Sequence, residues 1–214
     1  ALSADAYWQS EDYVLSVSGR MRESRLYGRN LELHRQIRTT LFSREIEITD
    51  TVTNLSDAPE PVFLLYHFNF GYPLLDETSR FFGPRSEITP GSSDGERDHL
   101  SMHAPVDAAP QQTFLHKPFE QGEVTAGIVN PARKLAAYLR YDTRALPYLL
   151  EWKCLKSHDY VLAAEPTNCP ANNRETDLRS GSVPVLGAYE SLQYHVTLCV
   201  AEGDDIPSAL NGEE

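Results

Sequence analysis

Two strings hold the residues best suited to chemistry. In Tyr66-His67-Phe68-Asn69-Phe70-Gly71-Tyr72-Pro73, an extended backbone projects His67 and Asn69 to one face. Tyr66, Phe68 and Phe70 take the other face. A buried His or Asn without a partner costs about 1–3 kcal/mol. This polar patch on a greasy strand therefore requires partners, either protein groups or ligand hydroxyls. In the second string, Tyr160-Val161-Leu162-Ala163-Ala164-Glu165-Pro166-Thr167-Asn168-Cys169, an apolar strand runs into Glu165 and Pro166 then stops it. A carboxylate in partly apolar surroundings has a raised pKa and exchanges protons near neutral pH. A surface Glu opening a loop is the competing reading.

A third stretch, Leu146-Pro147-Tyr148-Leu149-Leu150-Glu151-Trp152-Lys153, places Tyr148, Leu150 and Trp152 on one strand face and Glu151 and Lys153 on the other. An aromatic stripe is ordinarily core, yet Trp and Tyr also offer flat apolar faces that suit the C–H faces of sugar rings. His116, within Phe114-Leu115-His116-Lys117, is a further candidate. His34, His99, His103, His158 and His195 have no supporting neighbours. No HxH, HExxH or CxxC spacing occurs, so no tight metal site is expected. GxGxxG and P-loop strings are also absent.

The elements that must position these residues read as strands. Period-two alternation marks Tyr13–Gly19 and Glu45–Thr53. Val62–Phe70 is nearly all apolar or aromatic, as in a strand covered on both faces. Val124–Val129, Leu135–Tyr141, Tyr148–Cys154, Tyr160–Glu165 and Leu192–Val200 follow, separated by turn signals such as Asn54-Leu55-Ser56-Asp57 and Asn130-Pro131. No window of 12 or more residues carries a helical stripe. Many short strands with frequent turns predict an all-β sandwich. Seven arginines between Arg20 and Arg44, interleaved with Glu23, Glu32 and Glu45, read as solvated edges of paired strands with cross-strand ion pairs. Residues 86–110, rich in Pro, Gly and Ser, read as one long loop, either a lid or a plain insertion. The expected organisation is one domain over residues 1–201 and an acidic, frayed tail over 202–214.

Composition narrows the function classes. The chain has 214 residues, 41% hydrophobic and 23% charged, which suits a globular core. Its formal charge of -12 repels phosphate backbones and anionic lipid, so neither nucleic acid nor membrane is an expected partner. Three well-separated cysteines, Cys154, Cys169 and Cys199, read as reduced thiols of a cytoplasmic protein. The first residues carry neither a charged n-region nor an apolar h-region. A chain opening on Ala1 reads as a processed or excised piece of a longer one.

Several strings, in order, carry a resemblance: Gly19-Arg20-Met21-Arg22-Glu23, Leu26-Tyr27-Gly28-Arg29-Asn30-Leu31, Asp50-Thr51-Val52-Thr53-Asn54, Leu65-Tyr66-His67-Phe68-Asn69-Phe70-Gly71-Tyr72-Pro73-Leu74-Leu75, Leu146-Pro147 with Trp152-Lys153, and Glu165-Pro166-Thr167-Asn168. Together they resemble the DUF4432 branch of the aldose 1-epimerase (galactose mutarotase-like) superfamily. The resemblance implies an antiparallel β-supersandwich with a concave sugar-binding face, lacking its N-terminal portion. It implies that His67 is general acid toward the ring oxygen and Glu165 general base toward the anomeric hydroxyl of an aldose or sugar derivative. It further implies Asn69, Tyr72, Trp152, Asn168 and His116 as substrate-binding residues and no cofactor. A non-catalytic carbohydrate-binding or regulatory domain on the same fold is the alternative, and an isomerase or lyase of a modified sugar is a third reading. Two departures stand out. The family's earlier Leu-His-Gly motif is absent from these 214 residues, and its hydroxyl-gripping Asp has no match. Sheet edges left bare by a missing N-terminal portion would be covered by a second copy or a partner chain.

Overall fold

In chain order the strands are β1 (Leu2–Gln9), β2 (Asp12–Ser24), β3 (Asn30–Thr40), β4 (Glu45–Asn54) and β5 (Glu60–Pro61). β6 (Phe68–Phe70), β7 (Arg80–Phe82), β8 (Ser86–Pro90), β9 (Gln112–Pro118) and β10 (Glu123–Asn130) follow. Then come β11 (Leu135–Asp142), β12 (Tyr148–Lys156), β13 (Asp159–Thr167), a helix α1 (Arg174–Ser180), β14 (Val185–Leu186) and β15 (Ser191–Glu202). The structure is a computed structural model and describes residues 2–91 and 99–207. The all-β antiparallel expectation holds. Among the described residues no helix is long and apolar enough to cross a membrane.

The chain divides into two compact units, Ala1–Leu64 with Asn172–Leu198, and Leu65–Ala171 with Cys199–Glu214. Neither is contiguous in sequence, which is why no linker or composition shift marks them. The first unit orders its main sheet β1-β2-β3-β4 with the Ser191–Leu198 part of β15 beside β4, and pairs β5 with β14. Its arginines do make ion pairs: Arg20 with Glu32 at 3.2 Å, Arg29 with Glu23 at 2.6 Å, and Arg35 in a fork on the buried Asp50 at 2.8 and 2.6 Å. Asn54, fully buried, donates to the carbonyls of Ala58, Leu186 and Gly187 and so ties the end of β4 to the β14 turn.

The second unit holds a five-stranded sheet ordered β6-β13-β12-β9-β8 and the strand run β11-β10-β7, which belongs to the eight-stranded sheet. Its core gathers Phe81, Ile128, Leu139, Leu149, Leu155 and Leu162, each nearly inaccessible.

Three local expectations need correction. Val62–Phe70 is not one strand. Phe63 and Leu64 lie outside any strand, Leu65 makes a single bridge to Thr167, and only Phe68–Phe70 forms β6. An apolar run gives the same signal whether its side chains are covered in a strand or in an irregular segment. Residues 86–110 are not all loop, because Ser86–Pro90 pairs with Pro118–Phe114 as the edge strand β8. Its polar residues are those of an exposed edge, where only one side of the backbone is paired. Residues 92–98 lie outside the described residues. The helix α1 was too short to show a stripe. Its ends are set by local chemistry: the Asn173 side chain accepts from the Thr176 amide at 2.9 Å, and Gly181 closes the helix at φ +70°. Of the predicted acidic tail, Glu202 ends β15 and Gly203–Asp205 form a 3-10 turn, while residues 208–214 lie outside the described residues.

Candidate functional site

Register in the five-stranded sheet decides which side chains share a face. Asn69 stands opposite Ala163, Ala163 opposite Trp152, and Trp152 opposite Thr113. Glu165 stands opposite Leu150, two residues along the same strands and therefore on the same face. His67 precedes Asn69 by two residues, across from Glu165. The alternation read in the sequence is present here: His67 and Asn69 are exposed, while Tyr66 and Phe70 are buried.

His67 and Glu165 meet directly. His67 Nδ1 lies 3.0 Å from Glu165 Oε1, and the imidazole, with its side chain 43% exposed, covers a carboxylate that is almost wholly buried. The Trp152 ring sits 5.8 Å from the His67 ring, and its indole N–H points to Gln111 Oε1 at 3.4 Å. Ala163, fully buried, is the small residue next to Glu165 on this face of β13. Burial pushes the Glu165 carboxyl above its ordinary value, and the neighbouring His67 pulls the other way. The result is an acid and a base in contact, at the open surface of a sheet and beside an aromatic wall.

The other candidates separate. Tyr72 lies in the turn after β6, largely exposed, with the Arg133 guanidinium 5.1 Å over its ring. Arg133 is held in turn by Asp76 at 2.9 Å. Asn168 is fully buried beyond the end of β13, outside the exposed group. His116 is likewise no member of that group. It pairs with Leu149, one residue out of step with Leu150 and Trp152, and so points to the opposite face of the sheet. A hollow of about 480 Å³ lies in the first unit, over Leu2, Val17, Met21, Leu33 and Ile37, and none of the candidate residues lines it.

That opposite face holds a cluster the sequence did not disclose. Glu151 Oε2 receives His99 Nδ1 at 3.2 Å and His116 Nε2 at 3.1 Å. Lys153 Nζ stands 3.7 Å from Glu151 Oε1 and donates to the Ser101 carbonyl at 3.1 Å. His99, His116 and Glu151 bring three donor atoms to within 4.8 Å of one another, close enough to hold a metal ion. His99 and Glu151 stand 52 residues apart, so no spacing motif could reveal them. One signal was present: Glu151 and Lys153 share the face of a strand whose other face carries Trp152. Two charges on a covered face demand partners.

No curated protein matches the chain. Among solved structures it is similar to a protein from Klebsiella pneumoniae provisionally named an aldose 1-epimerase, with 28% identity and a TM-score of 0.85. The match covers 90% of this chain but 52% of the other, so the chain spans about half the length of that relative. A galactose mutarotase-related enzyme from Lactobacillus acidophilus is 13% identical at a TM-score of 0.63, covering 95% of this chain and 73% of its own. A galactose mutarotase-like protein from Clostridium acetobutylicum is 15% identical at 0.63, covering 94% and 67%. These last two share the fold, which is galactose mutarotase-like. Residues 1–200 match the family described as a domain of unknown function, DUF4432, and the chain accordingly belongs to the DUF4432 family.

Proposed function

We propose that the protein interconverts the anomers of an aldose or sugar derivative by acid–base ring opening, with Glu165 as base and His67 as acid. The observation that carries this reading is the 3.0 Å contact between His67 Nδ1 and Glu165 Oε1 on an exposed sheet face. The anomeric hydroxyl and the ring oxygen are both bonded to C1, so a base for one and an acid for the other have to sit side by side. The active protonation state is also the paired one, an imidazolium against a carboxylate. Glu165 takes the proton of the C1 hydroxyl while His67 gives one to the ring oxygen, and the C1–ring-oxygen bond breaks. The open aldehyde turns about the C1–C2 bond. On closure Glu165 returns its proton to the carbonyl oxygen, His67 takes one back from the attacking hydroxyl, and both residues are restored. Because His67 covers Glu165, the imidazole swings aside as the sugar enters, and Trp152 offers a flat face for the ring's C–H groups.

The second reading is a carbohydrate-binding domain without turnover that uses the same exposed face of the sheet. Exchange NMR on a panel of aldoses at anomeric equilibrium separates the two. Magnetisation transfer between α and β signals that grows with protein concentration supports the enzyme. Saturation transfer to the sugar without anomer exchange supports the binding domain, and neither signal with any aldose overturns both.

A further inference from the structure

We propose that His99, His116 and Glu151 form a binding site for one zinc-class divalent transition-metal ion, in the second unit on the sheet face opposite His67 and Glu165. Two imidazoles and a carboxylate are a donor set that suits zinc and its neighbours. The spacing also fits. Bonds of about 2.0–2.1 Å around a tetrahedral ion place neighbouring donor atoms about 3.3 Å apart. The two nitrogen–oxygen distances here are 3.2 and 3.1 Å, and all three donor atoms lie within 4.8 Å of one another. The rings of His99 and His116 cross at 74° with centroids 5.1 Å apart, which aims one nitrogen of each at the same carboxylate oxygen without a clash.

The carboxylate itself is the second observation. Glu151 is fully buried, and both hydrogen bonds fall on Oε2 while Oε1 receives none among the described residues. A buried carboxylate oxygen with no hydrogen bond carries a full desolvation cost, and an ion drawing on both oxygens would relieve it. His116 is buried to the same degree, whereas His99 keeps its side chain 19% exposed and gives an ion a way in. Phe81 packs on the His116 ring at 5.5 Å between centroids, and Phe114 on the His99 ring at 5.8 Å. One group opposes the ion: the Lys153 ammonium, 3.7 Å from Oε1, competes for the same carboxylate. The proposal therefore makes a prediction that a bare hydrogen-bond network does not. Replacing Lys153 with Met should tighten metal binding, by about tenfold or more for a close like charge removed from a buried site.

The test uses the full chain stripped with chelator and then titrated with Co2+ as a spectroscopic probe. Expected are visible d–d bands of a low-coordinate N/O site saturating at one equivalent. Zn2+ should displace them, Glu151→Gln should abolish them, and Lys153→Met should shift them to lower Co2+ concentration. Should Glu151→Gln fail to fold, His99→Gln at the more exposed position replaces it, with the same expected loss. Wild-type protein showing only the spectrum of aqueous Co2+ would overturn the site. So would bands that survive both His99→Gln and Glu151→Gln, or a Lys153→Met variant with unchanged affinity. Anomer exchange plays no part in these readouts, so the two proposals stand or fall separately.

Discussion

Glu165 lies inside β13, which does not stop at Pro166 as the sequence suggested but stays paired through Thr167, and register sets its surroundings: Leu150 opposite it on β12 and His67 in contact. Burial raises its pKa above the ordinary 4.5. A base must be ionised to act, so the acid limb of kcat/KM for anomerisation should fall above pH 4.5, not at an ordinary carboxylate value. A pH–rate profile of the wild type against an unbuffered background checks this, and a limb below that value would contradict the burial argument. At this scale alternation in the sequence was enough to put His67 and Asn69 on one exposed face. It did not separate His116 from them, since only the pairing of His116 with Leu149 shows which way that ring points. Tyr72 and Asn168 stood near the motifs in sequence, but side-chain exposure is set by packing that a string cannot carry.

At the scale of elements, one device holds the turn beside the site and another sets how closely two strands of the neighbouring sheet approach. The turn after β6 is anchored through Asp76. Burial alone would raise the Asp76 pKa, but hydrogen bonds from Thr78 and Arg133 overcome that and hold it well below its ordinary value of 3.8. A depressed folded-state pKa contributes stability in full above that ordinary value, and the contribution is lost as pH falls through the folded one. Urea melts at pH 5 and pH 3 should therefore show Asp76→Asn losing less stability between the two than the wild type does. In β10, Gly127 faces β11 so closely that an added Cβ would lie 2.3 Å from the Ala137 carbonyl oxygen and 2.6 Å from Tyr138 Cα. Backbone cannot yield as a flexible side chain can. Gly127→Ala should lower the unfolding free energy by about 1–3 kcal/mol, read as a lower urea midpoint at unchanged slope. Long alternating strands such as β4 and β12 were legible because one periodicity runs through them. The edge strand β8 and the broken segment before β6 were not, because a short or half-paired strand has no period to read.

For the whole molecule, the net charge of -12 bears on ligand choice more than on fold. A neutral aldose should bind with an affinity nearly independent of salt. A sugar phosphate should bind more weakly as ionic strength falls, because screening of like charge is lost; isothermal titration at low and high NaCl compares the two. The all-β class was readable from turn spacing. The division into two units was not, because each is assembled from distant segments and β15 runs through both. The three cysteines are buried, and none is joined in a disulfide. One pair of side chains carries the proposed chemistry, and one comparison tests it most directly: anomer exchange by NMR for wild type and Glu165→Gln, with folding verified by near-UV circular dichroism. Removing the base while keeping its shape should slow protein-dependent exchange by about 10²- to 10⁴-fold, leaving sugar binding largely intact. Equal exchange rates in the two proteins would contradict the assignment of Glu165 as the base.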